Sequence, residues 1–234
     1  MTVAHIRYTA VAATLLIIDL GLSSIASAQS STGTRAPDPN RGATIAAQGT
    51  AAGAPGCAQC HAFNGASDGT GAFPRIAGQS AYYLAKQLRD FGSGVRDNAV
   101  MSPIAKALTP DDITDVAAYY AGLHIPYLPL PNPSAALIKQ GEELAKVGNN
   151  GRDIQACDNC HGPGGAGEPP AIPYLAGQYA PYIGLELRMW QRGFRKSSPT
   201  AMAFISKQLT DQEIAAIAAY YQQVRANGEL AASK

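Results

Sequence analysis

The feature that most constrains this chain is the pentapeptide Cys-x-x-Cys-His, which occurs twice. The first copy runs from Cys57 to His61 and the second, one hundred residues later, from Cys157 to His161. Cysteines one helical turn apart can each form a thioether to the same porphyrin, while the adjacent imidazole faces the iron. The two copies account for all four cysteines of the chain. We therefore predict two covalent haem c groups, each with its iron.

The same motif has two other interpretations. Its cysteines and histidine suit half of a zinc site, and a Cys-x-x-Cys pair also occurs in redox-active dithiols. Two tandem copies in a chain that carries an export signal favour haem over both, because bacteria attach haem c outside the cytoplasm.

The N-terminus predicts that export signal. Residues 1–28 have a weakly basic start near Arg7, an apolar run from Ala10 to Leu22 and a small-residue end at Ala26–Ala28. This is the pattern of a cleaved signal peptide. Asp19 interrupts the apolar run, and a carboxylate at the centre of a spanning helix costs about 2.5–3.5 kcal/mol. We expect a periplasmic protein, with an uncleaved membrane anchor as the alternative.

The rest of the chain is an internal repeat of helical segments. Apolar stripes at helical spacing recur in both halves, and no useful period-two run indicates a strand. The matched positions are Leu84, Leu88 and Phe91 in the first half and Ile183, Leu187 and Trp190 in the second. We predict an all-α protein with two tandem domains. The expected segments are a signal peptide at 1–28, a flexible leader at 29–41, domain 1 at 42–123, a proline-rich linker at 124–133, domain 2 at 134–226 and a tail at 227–234.

Four side chains are candidate iron ligands. His61 and His161 each follow a cysteine pair, and Met101 and Met202 lie at matching places about forty residues later, between two helices. A thioether is a soft, neutral ligand that favours ferrous iron. We expect each iron to bind one histidine and one methionine, which leaves no coordination position free for a substrate.

Two other residues compete for these roles. His124 is a histidine outside the motifs with no counterpart in the second half, and it is the alternative to Met101. Met189 lies within an apolar stripe, where a methionine is ordinarily core filler.

Further residues are expected to surround the haems. The carbonyls of Pro74 and Pro173 are placed to accept the second imidazole proton and so fix the tautomer. One tyrosine of each Tyr-Tyr doublet is expected to pack inward, with its phenol near a propionate or the other domain. Candidates to neutralise haem propionates are Arg75, Arg89, Arg96, Arg188 and Arg195.

With these motifs the chain resembles the diheme class I cytochromes c of the cytochrome c4 type. The resemblance rests on the two pentapeptides, on Pro-x-x-Ala-Gly-Gln at 74–79 and 173–178, on one methionine per half and on the tyrosine-bearing last helices. It implies two cytochrome c domains related by an approximate twofold, with propionate edges facing each other. The chain departs from the family at Ala62, where glycine is usual after the motif, and in its proline-dense linker.

The resemblance implies an electron carrier and no enzyme. Its expected partners are redox proteins, namely a respiratory donor and a terminal oxidase or reductase in the membrane. The balance of 18 basic against 17 acidic residues indicates no nucleic acid partner, and no small-molecule substrate is expected. A diheme peroxidase and an electron-transfer subunit of a periplasmic dehydrogenase complex are the alternatives.

Overall fold

The computed structural model describes residues 1, 35–128, 130 and 133–225. The predicted signal peptide at 1–28 and the tail at 227–234 lie outside the described residues, except for Met1. Residues 29–34 of the predicted leader lie outside them as well, whereas residues 35–41 are described.

The described part of the first half contains five helices. They are α1 (Pro39–Gln48), α2 (Ala58–His61), α3 (Ala81–Ser93), α4 (Met101–Lys106) and α5 (Pro110–Ala121). Helix α1 begins inside the segment predicted as a flexible leader, because Asp38 caps it and Pro39 pre-sets its first turn. The helical part of the domain therefore starts three residues earlier than expected.

The second half repeats this order. It contains α6 (Ala135–Lys146), α7 (Asp158–His161), α8 (Ala180–Gln191), α9 (Met202–Gln208) and α10 (Asp211–Gln223), with short 3₁₀ turns at Asn150–Arg152 and Pro163–Gly165. Helices α5 and α10 both begin with a capping box, formed by Thr109 with Asp112 and by Thr210 with Glu213. Each of these helix starts is therefore encoded by residues within four positions of one another.

The all-α fold with two tandem domains is confirmed. The described residues form isolated β-bridges but no named strand. In that part of the chain, no helix has both the length and the apolar character needed to cross a membrane.

In each half the first and last helices cross at a glycine. A Cβ at Gly42 would lie 2.1 Å from the Asp115 carbonyl oxygen, and one at Gly141 would lie 2.0 Å from that of Ala216. Because real Cβ contacts are never this short, the close crossings of α1 with α5 and of α6 with α10 require glycine. These crossings fix the helix that precedes the haem motif in each half, which is α1 in the first and α6 in the second.

The two halves pack against each other through matched loops. The Asp97 N–H donates to the Phe194 carbonyl and the Lys196 N–H donates to the Val95 carbonyl, both at 2.8 Å. Arg96 and Arg195 form an antiparallel bridge at the centre of this pairing. Each loop thus makes the contact that the other makes in return, which is the relation expected of a twofold repeat.

The described residues of the predicted linker, 124–128, 130 and 133, lie outside any helix. Tyr127 packs in this linker between two guanidinium groups, those of Arg75 and Arg225, at 4.6 and 4.7 Å from its ring centroid. The linker therefore packs against both halves through cation–π contacts.

Candidate haem sites

A cavity between the helices brings all eight predicted site residues onto its wall. These residues are Cys57, Cys60, His61, Met101, Cys157, Cys160, His161 and Met202. The apolar stripes predicted on α3 and α8 line the same cavity. The cavity therefore offers an apolar enclosure with one thiol pair, one imidazole and one thioether from each half.

The cysteines stand free of one another. No disulfide joins them, and Cys57 and Cys157 are partly buried. Burial raises the pKa of the Cys57 thiol and raises that of Cys157 to about 11. Both side chains are therefore neutral at physiological pH, and a neutral thioether in their place adds no buried charge.

Each motif histidine is oriented by a proline carbonyl. The Nδ1 atom of His61 lies 3.2 Å from the Pro74 oxygen, and that of His161 lies 2.9 Å from the Pro173 oxygen. Because a carbonyl can only accept, Nδ1 carries the proton in both rings, and Nε2 keeps its lone pair. Burial lowers the pKa of both imidazoles, so both stay neutral and able to bind a metal.

Each candidate methionine begins a short helix. The Met101 N–H donates to the Asn98 side chain at 2.8 Å, and the Met202 N–H donates to the Ser198 hydroxyl at 3.3 Å. These bonds hold both half-buried side chains at the cavity wall.

The two competing residues lie elsewhere. His124 is exposed, and its Nδ1 lies 3.1 Å from the Gly122 carbonyl oxygen. Neither His124 nor Met189 contributes to the cavity wall that the described residues form.

Three of the five predicted arginines line the cavity. They are Arg75, Arg96 and Arg195. By contrast, Arg188 pairs with Asp211 at 2.9 Å, away from the cavity. Arg89 is also absent from the described cavity wall.

Arg96 and Arg195 share one carboxylate, whose side chain is 13% exposed. Glu186 binds Arg96 at 2.6 Å and Arg195 at 2.7 Å. Burial alone would raise the pKa of Glu186, but the two guanidinium groups lower it below its ordinary value. Two cations and one anion leave an excess positive charge at the cavity.

The phenols of α3 and α8 complete this network. Tyr83 accepts a hydrogen bond from Arg195 at 3.0 Å, and Tyr182 accepts one from Arg96 at 2.7 Å. Each phenol therefore reaches the other half, as expected for one tyrosine of the doublet in α3. The expectation of one inward tyrosine per doublet fails in α10, where Tyr220 and Tyr221 are both buried.

The donor set fits haem c. In the part of the chain that the structure describes, the buried Nε atoms of Arg75 and Arg195 have no hydrogen-bond partner. Both arginines lie at the cavity wall. A buried guanidinium donor without an acceptor is costly, and a haem carboxylate would supply the acceptor and balance the excess positive charge.

The two glutamines that end Pro-x-x-Ala-Gly-Gln make contacts that were not predicted from the sequence. Gln79 and Gln178 are both buried and hydrogen-bond the backbone of the opposite half. Their repetition at one place in both halves was the available signal. A polar side chain repeated beside an apolar stripe needs a buried partner.

Helical domains that enclose paired thiols, an imidazole and a thioether define a two-domain c-type cytochrome. The family model for cytochrome c matches residues 40–123, and the model for subunit III of cbb3-type cytochrome c oxidase matches residues 140–220.

Relatives cover most of the chain. It is 40% identical over 169 residues to a thiosulfate dehydrogenase electron acceptor from Stutzerimonas stutzeri, covering 72% of this chain and 78% of that one. It is 32% identical over 219 residues to cytochrome c4 from Azotobacter vinelandii, covering 88% and 95%.

A solved structure shows the same fold. Thiosulfate dehydrogenase (TsdBA) from Marichromatium purpuratum superposes with a TM-score of 0.73 at 40% identity. The match covers 80% of this chain but only 40% of that one.

The chain belongs to the cytochrome c4 family of diheme class I cytochromes c. It carries two covalent haem c groups with iron, through the cysteine pairs 57/60 and 157/160. It is an electron carrier and not an enzyme. Its partners are redox proteins.

Proposed function

We propose that each iron is six-coordinate, with His61 and Met101 as ligands in the first half and His161 and Met202 in the second. The observation that carries this proposal is the matched placement of both methionines on the haem cavity wall. When bound, the two haems supply two one-electron couples. The protein holds each ligand in place, so that little rearranges between the ferric and ferrous states.

Substitution of the methionines tests this ligation. Met101→Ala or Met202→Ala should lower the potential of the haem in its own half, because loss of a thioether disfavours ferrous iron. The variant iron should also bind carbon monoxide when reduced. Met189→Ala is the matched control and should leave both potentials unchanged. A redox titration in which Met101→Ala or Met202→Ala changes neither potential contradicts the assignment at that site.

We further propose that the protein works in the periplasm and accepts electrons from a dehydrogenase of the thiosulfate dehydrogenase type. The similarity to a thiosulfate dehydrogenase electron acceptor supports this donor, and the predicted signal peptide supports the location. A respiratory complex in the membrane is the proposed acceptor.

A reconstituted assay tests the donor. The oxidised holoprotein, mixed with thiosulfate dehydrogenase, should turn to its ferrous spectrum when thiosulfate is added. With thiosulfate alone it should stay ferric. A spectrum that stays ferric in the complete mixture rules out this donor and leaves the carrier role to be tested with other dehydrogenases.

A further inference from the structure

Each half holds the backbone of the other through one glutamine side chain. Gln178 Oε1 accepts from the Arg75 N–H at 2.9 Å, and its Nε2 donates to the Arg75 carbonyl at 2.8 Å. Gln79 makes the same two contacts with the N–H and carbonyl of Tyr174, at 3.3 and 3.4 Å. The amide orientation is fixed, because each Oε1 faces an N–H and each Nε2 faces a carbonyl.

These contacts fall on the peptide group that holds the motif histidine. The Arg75 N–H and the Pro74 carbonyl belong to one peptide group, and that carbonyl accepts from His61 Nδ1. A continuous hydrogen-bond chain therefore runs from Gln178 in the second half, through this peptide, to His61 in the first.

A second hydrogen-bond chain runs from Gln79 in the first half to His161 in the second. Gln79 accepts from the Tyr174 N–H, and the carbonyl of the same peptide, that of Pro173, accepts from His161 Nδ1. Both glutamines are about 95% buried, each with 5% of its surface exposed. Water therefore competes little for the hydrogen bonds of either glutamine.

We propose that Gln79 and Gln178 are positioning residues for the iron ligand of the opposite half. A peptide whose N–H already donates has a more polarised carbonyl, because hydrogen bonds in a chain strengthen one another by about 10–30%. The stronger acceptor draws the Nδ1 proton more and makes the imidazole a more basic ligand. A more basic ligand stabilises ferric iron, so each glutamine lowers the potential of the haem in the other half.

The two hydrogen-bond chains, from Gln178 to His61 and from Gln79 to His161, differ in strength. Gln178 is bound to Arg75 by contacts about half an ångström shorter than those of Gln79 to Tyr174. Hydrogen bonds weaken toward 3.5 Å. The effect of Gln178 on His61 is therefore larger than the effect of Gln79 on His161.

Near-isosteric substitutions in the full holoprotein test this proposal. Gln178→Met should raise the potential of the haem in the first half and shift the electron-sharing equilibrium toward that haem by about threefold. The Nδ1 proton resonance of His61 in the ferrous protein should move upfield, while that of His161 stays in place. Gln79→Met should shift the second haem and the His161 resonance by less.

Tyr174→Phe separates this effect from a loosened interface. The Tyr174 hydroxyl donates across the same interface to the carbonyls of Arg75 and Ala77 but does not touch the Arg75 N–H. This variant should leave the His61 resonance where it is. The proposal is overturned if Tyr174→Phe moves that resonance as much as Gln178→Met does. It is also overturned if the glutamine variants shift the haem of their own half, both haems equally, or neither.

The proposal rests on the ligation proposed above, yet the two fail differently. Wrong ligation would appear in the unsubstituted protein as a haem without the spectrum of histidine–methionine iron. Wrong positioning would appear as intact spectra with unchanged potentials in both glutamine variants.

Discussion

The two haem-bearing halves share their helices and their haem motifs but differ in the charge that each brings to the interface. At one matched position of the repeat, α3 carries the neutral Gln87 and α8 carries the carboxylate Glu186. Gln87 accepts from Arg96 at 2.8 Å and from Arg195 at 2.9 Å, while Glu186 pairs with both arginines. Both halves therefore place an acceptor between the same two arginines, but only the acceptor of the second half carries a negative charge.

Removal of that charge should have the largest effect on stability. Glu186→Gln removes the protein carboxylate that pairs with both buried guanidinium groups, and we expect a loss of about 3 kcal/mol in the free energy of unfolding. The matched Gln87→Ala removes only neutral acceptors and should cost about 1–2 kcal/mol. Denaturant titration of the holoproteins measures both. A Gln87→Ala cost as large as that of Glu186→Gln would show that charge is not the difference.

The pH dependence has a definite sign. Because the arginines lower the pKa of Glu186, its contribution to stability is complete above the unfolded-state pKa of about 4.3. It is lost as the pH falls through the lower folded-state pKa. In Glu186→Gln this part of the acid sensitivity should be absent.

The two halves also differ in the residue after the motif. Ala62 has φ 58° and ψ 158°, and its counterpart Gly162 has φ 75° and ψ 163°. This backbone region is almost restricted to glycine and costs other residues about 1–3 kcal/mol. The first half therefore carries backbone strain that the second half avoids.

Exchange of these residues should reverse that difference. Ala62→Gly should raise the free energy of unfolding by about 1 kcal/mol, since relief of strain exceeds the added freedom of the unfolded chain. Gly162→Ala should lower it by about 1–3 kcal/mol. Thermal unfolding of both holoproteins checks the pair. Destabilisation by Ala62→Gly would mean that the turn is not strained.

A third difference lies inside the motif itself. Asp158 follows the first cysteine of the second copy, where the first copy has Ala58. Its carboxylate accepts from the Tyr221 hydroxyl at 2.7 Å and from the Gly164 N–H at 2.8 Å. The second motif therefore has a fixed carboxylate on the residue after Cys157, and the first motif has none at that position.

Neutralising this carboxylate should produce the smallest change. Asp158→Asn should raise the potential of the second haem by an amount equivalent to about 1 kcal/mol, because a nearby negative charge favours ferric iron. Ala58→Asp should lower the potential of the first haem in return. Spectroelectrochemical titration of each variant reports both shifts. A shift in the potential of the other haem, or a shift in the opposite direction, would contradict this difference between the halves.

Local chemistry was the part of the site that the sequence could predict. The cysteine pairs and the proline carbonyls that face His61 and His161 depend on residues close along the chain. The departure at Ala62 was visible too, although only the positive φ explains why glycine is usual there.

Apart from the phenol expected to reach the other domain, contacts between the halves were beyond prediction. The network of Glu186 and the chains through Gln79 and Gln178 join residues about one hundred positions apart, and their partners depend on how two domains dock. The internal repeat showed which residues correspond. It did not show that Gln178 would meet Arg75 rather than a residue of its own half.

The central claim is that both irons have a histidine and a methionine ligand in unequal electrostatic surroundings. The most direct test is a redox titration of the full holoprotein that follows the near-infrared sulfur-to-iron charge-transfer band of the ferric state. We predict that the band disappears in two separate one-electron steps of equal amplitude. A haem that contributes no such band would contradict the account.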